Sequence, residues 1–267
     1  ASLKVKLTIG ELARAYAKGT NNLDAYLKVM QAWGYHMRFT KADNLISRSL
    51  AEEGIAMDPQ YGNAYVLLAA TYMLDTFLGD IKNRKKNFGK AIELAKKAVA
   101  LDNIGGYAML GWLYSLTGQD DKAIAECKKA VELDPNSASY RAWYGAVLNK
   151  VGRYEIAVQE LEQSVRRDPM AGTWVLRFLG SAYSSTGRHE EAIATLKKAI
   201  QKAPKDYLSR LTIIRAYIFA GRQEEAQAEA AEVLRLNPKF SLENYAKKMT
   251  GKDKERSLEA FRRAGLK

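Results

Sequence analysis

The side chains that most often carry out catalysis are scarce in this chain. Its 267 residues include two histidines, His36 and His189, and one cysteine, Cys127. The histidines lie far apart in the sequence, and neither has a second His or Cys at metal-ligand spacing. The sequence also lacks a phosphate-binding loop, a dinucleotide-binding fingerprint and a nucleophile elbow. We therefore predict that the chain is not an enzyme and that it holds neither a metal ion nor a cofactor.

Each of these three side chains has an ordinary structural interpretation. His189 follows a glycine at the predicted start of a helix and should lie on the surface, whereas His36 should pack within a helix pair or lie on the surface. Cys127 should be a buried, unreactive thiol. A single cysteine cannot form an internal disulfide, which is usual in a reducing compartment. We therefore predict a cytoplasmic location.

Residue types that bind are better represented than residue types that catalyse. Tryptophan and arginine carry much of the energy at protein interfaces. The chain has four tryptophans, which are Trp33, Trp112, Trp143 and Trp174. An arginine guanidinium can hold a carboxylate through two parallel hydrogen bonds. Such side chains form a binding site only if the secondary structure brings them to one surface.

The elements that would position these side chains follow from an internal repeat. Prolines, alanines and glycines each recur at spacings of 34, 35 and 34 residues. They are Pro135, Pro169, Pro204 and Pro238; Ala123, Ala157, Ala192 and Ala226; and Gly118, Gly152, Gly187 and Gly221. A period near 34 with three markers in phase indicates a stack of similar helical units.

Each marker has a physical role in a pair of antiparallel helices. A glycine can end the first helix in the left-handed conformation. The acids that follow it suit the positive start of the second helix, the alanine permits close approach, and the proline stops the second helix. Gly111, Gly145 and Gly180 fall midway along the first helices, where they allow close packing at a cost of about 1 kcal/mol each.

The residues Tyr107, Leu110, Gly111, Tyr114, Ala123, Cys127, Ala130 and Pro135 resemble a tetratricopeptide repeat. Tyr107 stands at the family's Trp position and Cys127 at its Phe position. Three further units follow and end at Pro169, Pro204 and Pro238. The resemblance implies an all-α fold, a right-handed superhelix of antiparallel helix pairs.

The same register predicts the organisation of the whole chain. Residues 22–238 should form six repeats, of which the first two are degenerate and one carries an insertion of about ten residues near 78–89. Residues 239–267 should form capping helices that cover the exposed end of the stack. Residues 1–21 are a lead-in that a preceding domain could have left.

The resemblance also implies where partners bind. In this family the first helices line a concave surface, and transferring repeat positions places a set of Trp, Arg and Asn side chains on that surface or at its edge. The set is Trp112, Trp143, Arg141, Asn149, Trp174, Arg177 and Arg215. An aromatic floor with guanidinium donors would suit an extended peptide that carries a carboxylate.

The charge is strongly positive but local. The formal net charge is +12, whereas residues 104–170 are near neutral. The excess lies in two patches, Lys82, Arg84, Lys85 and Lys86 in the insertion and Lys247, Lys248, Arg262 and Arg263 in the C-terminal tail. This pattern favours solvated surface over a nucleic-acid role, but binding of nucleic acid or another acidic surface stays open as an alternative. The longest apolar run, from Ala64 to Leu74, is too short to span a bilayer.

A closer resemblance covers nearly the whole chain. Residues 5–28, 51–68 and 237–249 are similar to the C-terminal repeat region of bacterial class III adenylate or guanylate cyclases. The resemblance implies a regulatory, non-catalytic scaffold that binds a peptide, a protein or an attached domain, within a parent that is itself a cyclase. No residue here can inherit the cyclase's metal-binding carboxylates. A free-standing adaptor and self-association through the repeat ends are the other interpretations.

Overall fold

The computed structural model describes residues 19–79 and 82–267. Within these ranges the chain forms fourteen α-helices and no β-strand. In order they are α1 (Leu23–His36), α2 (Lys41–Met57), α3 (Gly62–Phe77), α4 (Arg84–Ala100), α5 (Ile104–Leu116), α6 (Asp120–Leu133), α7 (Ala138–Lys150), α8 (Tyr154–Arg167), α9 (Thr173–Ser185), α10 (His189–Lys202), α11 (Tyr207–Phe219), α12 (Gln223–Leu236), α13 (Leu242–Lys248) and α14 (Lys254–Arg263). The predicted all-α fold is confirmed. Most of the predicted lead-in falls on residues 1–18, outside the described residues.

The chain divides into two compact units, which we describe separately. Unit 1 extends to Leu113 and unit 2 begins at Tyr114, so the division falls inside α5. In unit 1, α1 packs against α2, α3 packs against α4, and α2 also contacts α3. In unit 2, α7 and α8, α9 and α10, and α11 and α12 form successive pairs, each packed on the next. We call the odd-numbered members, which come first in each pair, A helices and their partners B helices.

The turns inside the pairs follow the predicted chemistry. Gly152 and Gly187 have φ angles of +87° and +80°, the left-handed region that glycine enters at no steric cost. The amide after each glycine donates back across the turn, from Arg153 to the Leu148 carbonyl at 2.8 Å and from Arg188 to the Tyr183 carbonyl at 2.9 Å. These bonds close the A helix as a Schellman motif, so the predicted role of the phase glycines is confirmed.

Small residues let the helices of a pair approach closely. A Cβ on Gly180 would lie 2.5 Å from Leu196 Cγ, and one on Gly145 would lie 2.6 Å from Leu161 Cγ. Both distances are shorter than real carbon contacts, so leucines of the B helix fill the space that each glycine leaves. The alanines opposite them, Ala157 and Ala192, are fully buried.

The predicted insertion is divided among three pieces of structure. Helix α3 continues to Phe77, five residues past Tyr72, whereas α5 ends two residues past the equivalent Tyr114. Helix α4 begins at Arg84, seven residues before Ala91, whereas α6 begins three residues before Ala123. The connection between α3 and α4 is also longer than the Thr117–Gln119 turn, and residues 80 and 81 within it lie outside the described residues. The extra residues therefore lengthen both helices of the pair as well as their connection.

The C-terminal helices return to the A-helix side of unit 2. Helix α14 packs on α11, the A helix of the last pair. Leu258, Phe261 and Leu266 are almost completely buried in the core of the unit. The segment between α13 and α14 reaches back to the ends of α7 and α9.

Candidate functional site

Aromatic side chains meet on the A helices of unit 2. The rings of Trp143 on α7 and Trp174 on α9 have centroids 4.8 Å apart with planes tilted by 33°. Phe178, one turn further along α9, lies edge-on to Trp174 at 6.3 Å. Two of the tryptophans proposed from sequence are thus brought into direct contact. Both rings are half-buried and together form one partly exposed apolar surface.

Arg177 lies beside this aromatic cluster. Its guanidinium carbon stands 5.1 Å from the centroid of the Phe178 ring, a cation–π distance. Its Nε is buried and has no hydrogen-bond partner among the described residues, and no described acid forms an ion pair with it. The Arg177 charge also acts on Tyr245, whose pKa burial raises to about 12, and this charge opposes the rise. A half-buried guanidinium without an acidic partner among the described residues is suited to a carboxylate ligand.

The predicted residues Asn149 and Arg215 are joined through a serine that the sequence did not single out. Asn149 Nδ2 on α7 donates to Ser181 Oγ on α9 at 3.0 Å. The Arg215 guanidinium on α11 donates to the Ser181 hydroxyl at 2.7 Å and to its carbonyl at 2.9 Å. Three consecutive A helices are therefore linked by one polar chain. The sequence could not identify Ser181 as part of this site, because one serine among many shows no periodicity.

Arg215 also meets an acid from the C-terminal segment. Only 7% of this residue is exposed, and its NH1 lies 3.5 Å from Asp253 Oδ2. Ser185 Oγ donates to the same carboxylate oxygen at 2.5 Å. Burial, followed by the hydrogen bond to Asp253, raises the pKa of Tyr154. Burial lowers the pKa of Arg215, and Asp253 opposes this shift.

Arg141, which we expected near the edge of the binding surface, is engaged within its own repeat. Its guanidinium contacts Glu160 Oε2 at 2.7 Å and donates to the Pro135 carbonyl at 3.2 Å. Arg210 repeats this arrangement with Glu229 at 2.6 Å and the Pro204 carbonyl. The arrangement recurs six residues after a repeat proline and ties the A helix to its B helix. Its geometry identifies Arg141 as a structural residue.

The remaining candidates are placed as follows. Trp112 is half-buried on α5, in the part of that helix that belongs to unit 1. Cys127 is buried, and burial raises the pKa of its thiol, which agrees with the predicted inert role. His36 is buried against Trp33, with ring centroids 5.4 Å apart, and packs as expected. His189 is half-buried at the start of α10.

The two basic patches lie at helix ends. Lys82, Lys85 and Lys86 are exposed beside the start of α4, and the Arg84 guanidinium lies 5.4 Å from the Phe88 ring. Lys247 and Lys248 end α13, and Arg262 and Arg263 end α14, where the helix dipole favours cations. Lys247 is paired with Glu243 at 2.6 Å and Arg262 with Glu259 at 3.5 Å. Intrahelical pairing therefore neutralises part of the tail patch.

Metal-binding clusters and membrane spans are both absent from the described ranges, 19–79 and 82–267. These ranges contain no group of three or more His, Cys, Asp or Glu side chains arranged to hold a metal ion. None of the helices there is both long enough and apolar enough to cross a membrane.

Successive helix pairs with aromatic and basic side chains on their A helices define a helical-repeat protein. Family models for the tetratricopeptide repeat match residues 104–137, 126–159, 148–207 and 183–250. Together these matches run from residue 104 to residue 250, more than half of the chain. The chain therefore belongs to the tetratricopeptide-repeat family.

Known proteins agree with this assignment. Human Superkiller complex protein 3 is 28% identical over 207 residues, which are 76% of this chain but 13% of that protein. The Bacillus subtilis repeat protein YpiA is 26% identical over 172 residues, 63% of this chain and 40% of that protein. The chain thus spans well under two thirds of these relatives.

Solved structures show the same fold. A thermophilic repeat protein of Thermus thermophilus matches with a TM-score of 0.58 and 23% identity, over 73% of this chain and 99% of that chain. The Cut9–Hcn1 hetero-tetramer of the APC/C matches with a TM-score of 0.63 and 16% identity, over 92% of this chain and 46% of that chain.

Proposed function

We propose that the chain is a non-catalytic scaffold whose A-helix surface in unit 2 binds an extended acidic segment of a partner protein. Tetratricopeptide-repeat proteins act as scaffolds for protein–protein interaction. The observation that carries the proposal is Arg177, a half-buried guanidinium that no described acid pairs with, on the same helix as the Trp174 of the Trp143–Trp174 pair. Human Superkiller complex protein 3 and the bovine BBSome member BBS4 are, by name, parts of complexes, which supports a scaffolding role.

The chemistry of the surface specifies the ligand. Stacked indole rings favour apolar or planar groups on the peptide. A guanidinium beside them favours a carboxylate, since charge-assisted hydrogen bonds contribute about 1.5–3 kcal/mol. The expected ligand is therefore an extended peptide with an acidic residue next to an apolar one.

The test is selection from a random peptide display library on the immobilised chain. We expect acidic peptides to be enriched, and we expect Arg177→Gln to weaken them about tenfold or more. Trp143→Ala should also abolish capture while the free energy of unfolding stays within about 1 kcal/mol of the wild type. Arg166→Gln is the matched control, because that guanidinium is 72% exposed on α8 and pairs with Glu162 of the same helix. If Arg177→Gln and Trp143→Ala lose stability but still capture the peptides, the two residues are structural and their assignment to the binding surface is wrong.

A second proposal concerns the parent chain. The resemblance to cyclase repeat regions favours a cytoplasmic regulatory module that acts on an attached domain. An immunoblot of source cells should then show a band far above the 29.8 kDa of this chain, and cyclase activity would be the next assay. A band near that mass would instead indicate a free-standing adaptor.

Self-association is a further candidate that a specific feature favours. Leu27 and Met30 on α1 are 49% and 47% exposed, and Leu45 and Ile46 on α2 are 55% and 42% exposed. Exposed apolar side chains at the first pair could contact a second copy. A mass that rises with concentration in light scattering would support this proposal, and Leu27→Glu should abolish that rise.

The nucleic-acid alternative requires DNA binding that weakens steeply with salt, and lack of binding at about 150 mM salt would remove it.

A further inference from the structure

The segment between α13 and α14 covers one end of the A helices in unit 2. We call residues 249–253 the crossing segment. Lys150 Nζ, at the end of α7, donates to the Thr250 carbonyl at 3.1 Å, and the Lys252 amide donates to the Lys150 carbonyl at 3.3 Å. Asp253 then contacts Ser185 at the end of α9 and Arg215 on α11. The crossing segment therefore lies against three successive A helices.

The crossing segment places a carboxylate in a polar site. Asp253 accepts a hydrogen bond from Ser185 Oγ at 2.5 Å and lies 3.5 Å from Arg215 NH1. Arg215 is itself held by Ser181 at 2.7 Å and by Ser257 at 3.3 Å, and it is 7% exposed. A buried guanidinium positioned by two serines, with the Ser185 hydroxyl on the same carboxylate, is a built carboxylate-binding site.

The internal carboxylate fits this site incompletely. Arg215 meets Asp253 through one nitrogen and one oxygen at 3.5 Å, whereas a bidentate pair would form two bonds near 2.8 Å. Arg215 Nε is buried without a hydrogen-bond partner among the described residues. Unsatisfied buried polar atoms cost free energy. A carboxylate from another chain could therefore bind more tightly than Asp253 does.

This site and the Arg177 site lie along one stripe of α9. Trp174, Phe178, Ser181 and Ser185 follow the i, i+4, i+7 and i+11 spacing of a single helix face. From Arg177 to Ser185 the helix rises about 12 Å, which about four residues of extended chain would span. One extended peptide could therefore place an acidic residue at each site.

We propose that Arg215 and Ser185 form a second carboxylate-binding site for the partner peptide, and that the crossing segment is an internal ligand which the peptide displaces. The proposal rests on the proposed function and adds that the partner carries two acidic residues about four positions apart. Displacement moves the crossing segment and breaks the bond from the Ser257 amide to the Asp253 carbonyl, while Leu258 and Phe261 hold the rest of α14 in the core. The chain is thus autoinhibited at one half of its binding surface.

The test uses full-length chains and a fluorescent synthetic peptide with the sequence of residues 246–255. Gly251→Val combined with Asp253→Asn should open the site. Gly251 has φ +113° and a Cβ there would lie 3.2 Å from the Lys150 carbonyl, while the Asn removes the charge. Gly265→Val with Glu259→Gln is the matched control, with the same two kinds of change away from the site. Circular dichroism checks that each variant is folded.

We expect the opened variant to bind the peptide at least tenfold more tightly than the wild type or the control. Replacing Asp253 by Asn in the peptide should cost about tenfold. Equal binding to wild type and opened variant would overturn autoinhibition, and equal binding of the Asp and Asn peptides would overturn carboxylate recognition. A folded opened variant that binds neither peptide would overturn the site itself.

The outcome is independent of the first proposal, because the tail peptide does not need Arg177. Adding Arg177→Gln to the opened variant should leave tail-peptide binding within about twofold. If the display selection fails while this assay succeeds, the Arg177 site is wrong and the Arg215 site stands. The reverse pattern leaves the proposed function intact and overturns the internal ligand.

Discussion

Two arginines of the same surface have different environments, and their neighbours explain the difference. Arg177 lies over Phe178 and near Tyr207 and Tyr245, none of which carries a negative charge at neutral pH. Arg215 lies one A helix further along and meets Asp253. From the sequence, we predicted that both arginines bind a partner. Within the described residues, the fold of the C-terminal segment gives Arg215 an acidic neighbour that Arg177 lacks.

His36 should make the free energy of unfolding depend on pH under mildly acidic conditions. Burial lowers its pKa from 6.5 to about 4, against an opposing hydrogen bond with Asn44. The unfolded chain binds the proton below pH 6.5 and the folded chain only below about pH 4, so stability falls as the pH drops through this window. We expect a loss of about 2 kcal/mol between pH 7 and pH 5.

Urea unfolding of the wild type and His36→Phe at several pH values measures this loss. The variant should lack most of the slope between pH 6.5 and pH 4. His189→Gln is the comparison, because His189 is only half-buried and its removal should leave most of the slope in place. A slope unchanged in His36→Phe would contradict the buried neutral imidazole.

At the scale of the elements, close packing of the two helices in a pair depends on glycines, which have no side chain. Gly180 stands in the middle of α9, where glycine weakens a helix, yet a Cβ there would meet Leu196 at 2.5 Å. Gly34 on α1 is exposed, and a Cβ there would meet no described atom within 4 Å. The two glycines have the same helix propensity but opposite packing constraints. The sequence analysis predicted close packing at Gly180, because Gly180 recurs with the repeat.

The two glycines therefore give a matched pair of substitutions. Gly180→Ala should lower the free energy of unfolding by about 1–3 kcal/mol, because overpacking outweighs the gain in helix propensity. Gly34→Ala should raise it by up to about 1 kcal/mol, since only the propensity changes. The midpoints of chemical unfolding report both effects. The same sign of change in both variants would show that packing does not control Gly180.

At the scale of the whole molecule, the division into two compact units falls within α5 rather than at a repeat boundary. Repeat proteins are stabilised mainly by contacts between neighbouring units, so a perturbation should spread over short distances. Unit 2 also has α14 packed on α11, which adds contacts that the repeat alone does not supply. We therefore expect the two units to open separately in hydrogen exchange.

Hydrogen exchange with mass spectrometry on Gly180→Ala tests this expectation. Amides in α7 to α12 should exchange faster than in the wild type, by about tenfold for each 1.4 kcal/mol lost. Amides in α1 to α4 should change little. Uniform acceleration across both units would mean that the chain opens as one cooperative body.

The sequence by itself determined the helix pairs. Gly152, Gly187 and the prolines act on φ angles and backbone hydrogen bonds within a few residues, so their spacing predicted where the helices end. It also predicted that Trp143, Trp174 and Arg177 lie on A helices, because repeat position fixes which helix of a pair a residue occupies, and the structure places them on α7 and α9. The structural use of Arg141 depended on Glu160, nineteen residues away, and was not visible in the pattern.

Only the tertiary structure decided that the C-terminal segment lies on the A helices. Asp253 is 38 residues from Arg215 and 68 from Ser185, and contacts at such separations carry no periodic signal. They form because the apolar face of α14 packs on α11 and brings the preceding residues along. Local sequence therefore determined each pair of helices, whereas long-range packing determined which A-helix residues contact the chain's own carboxylate, Asp253.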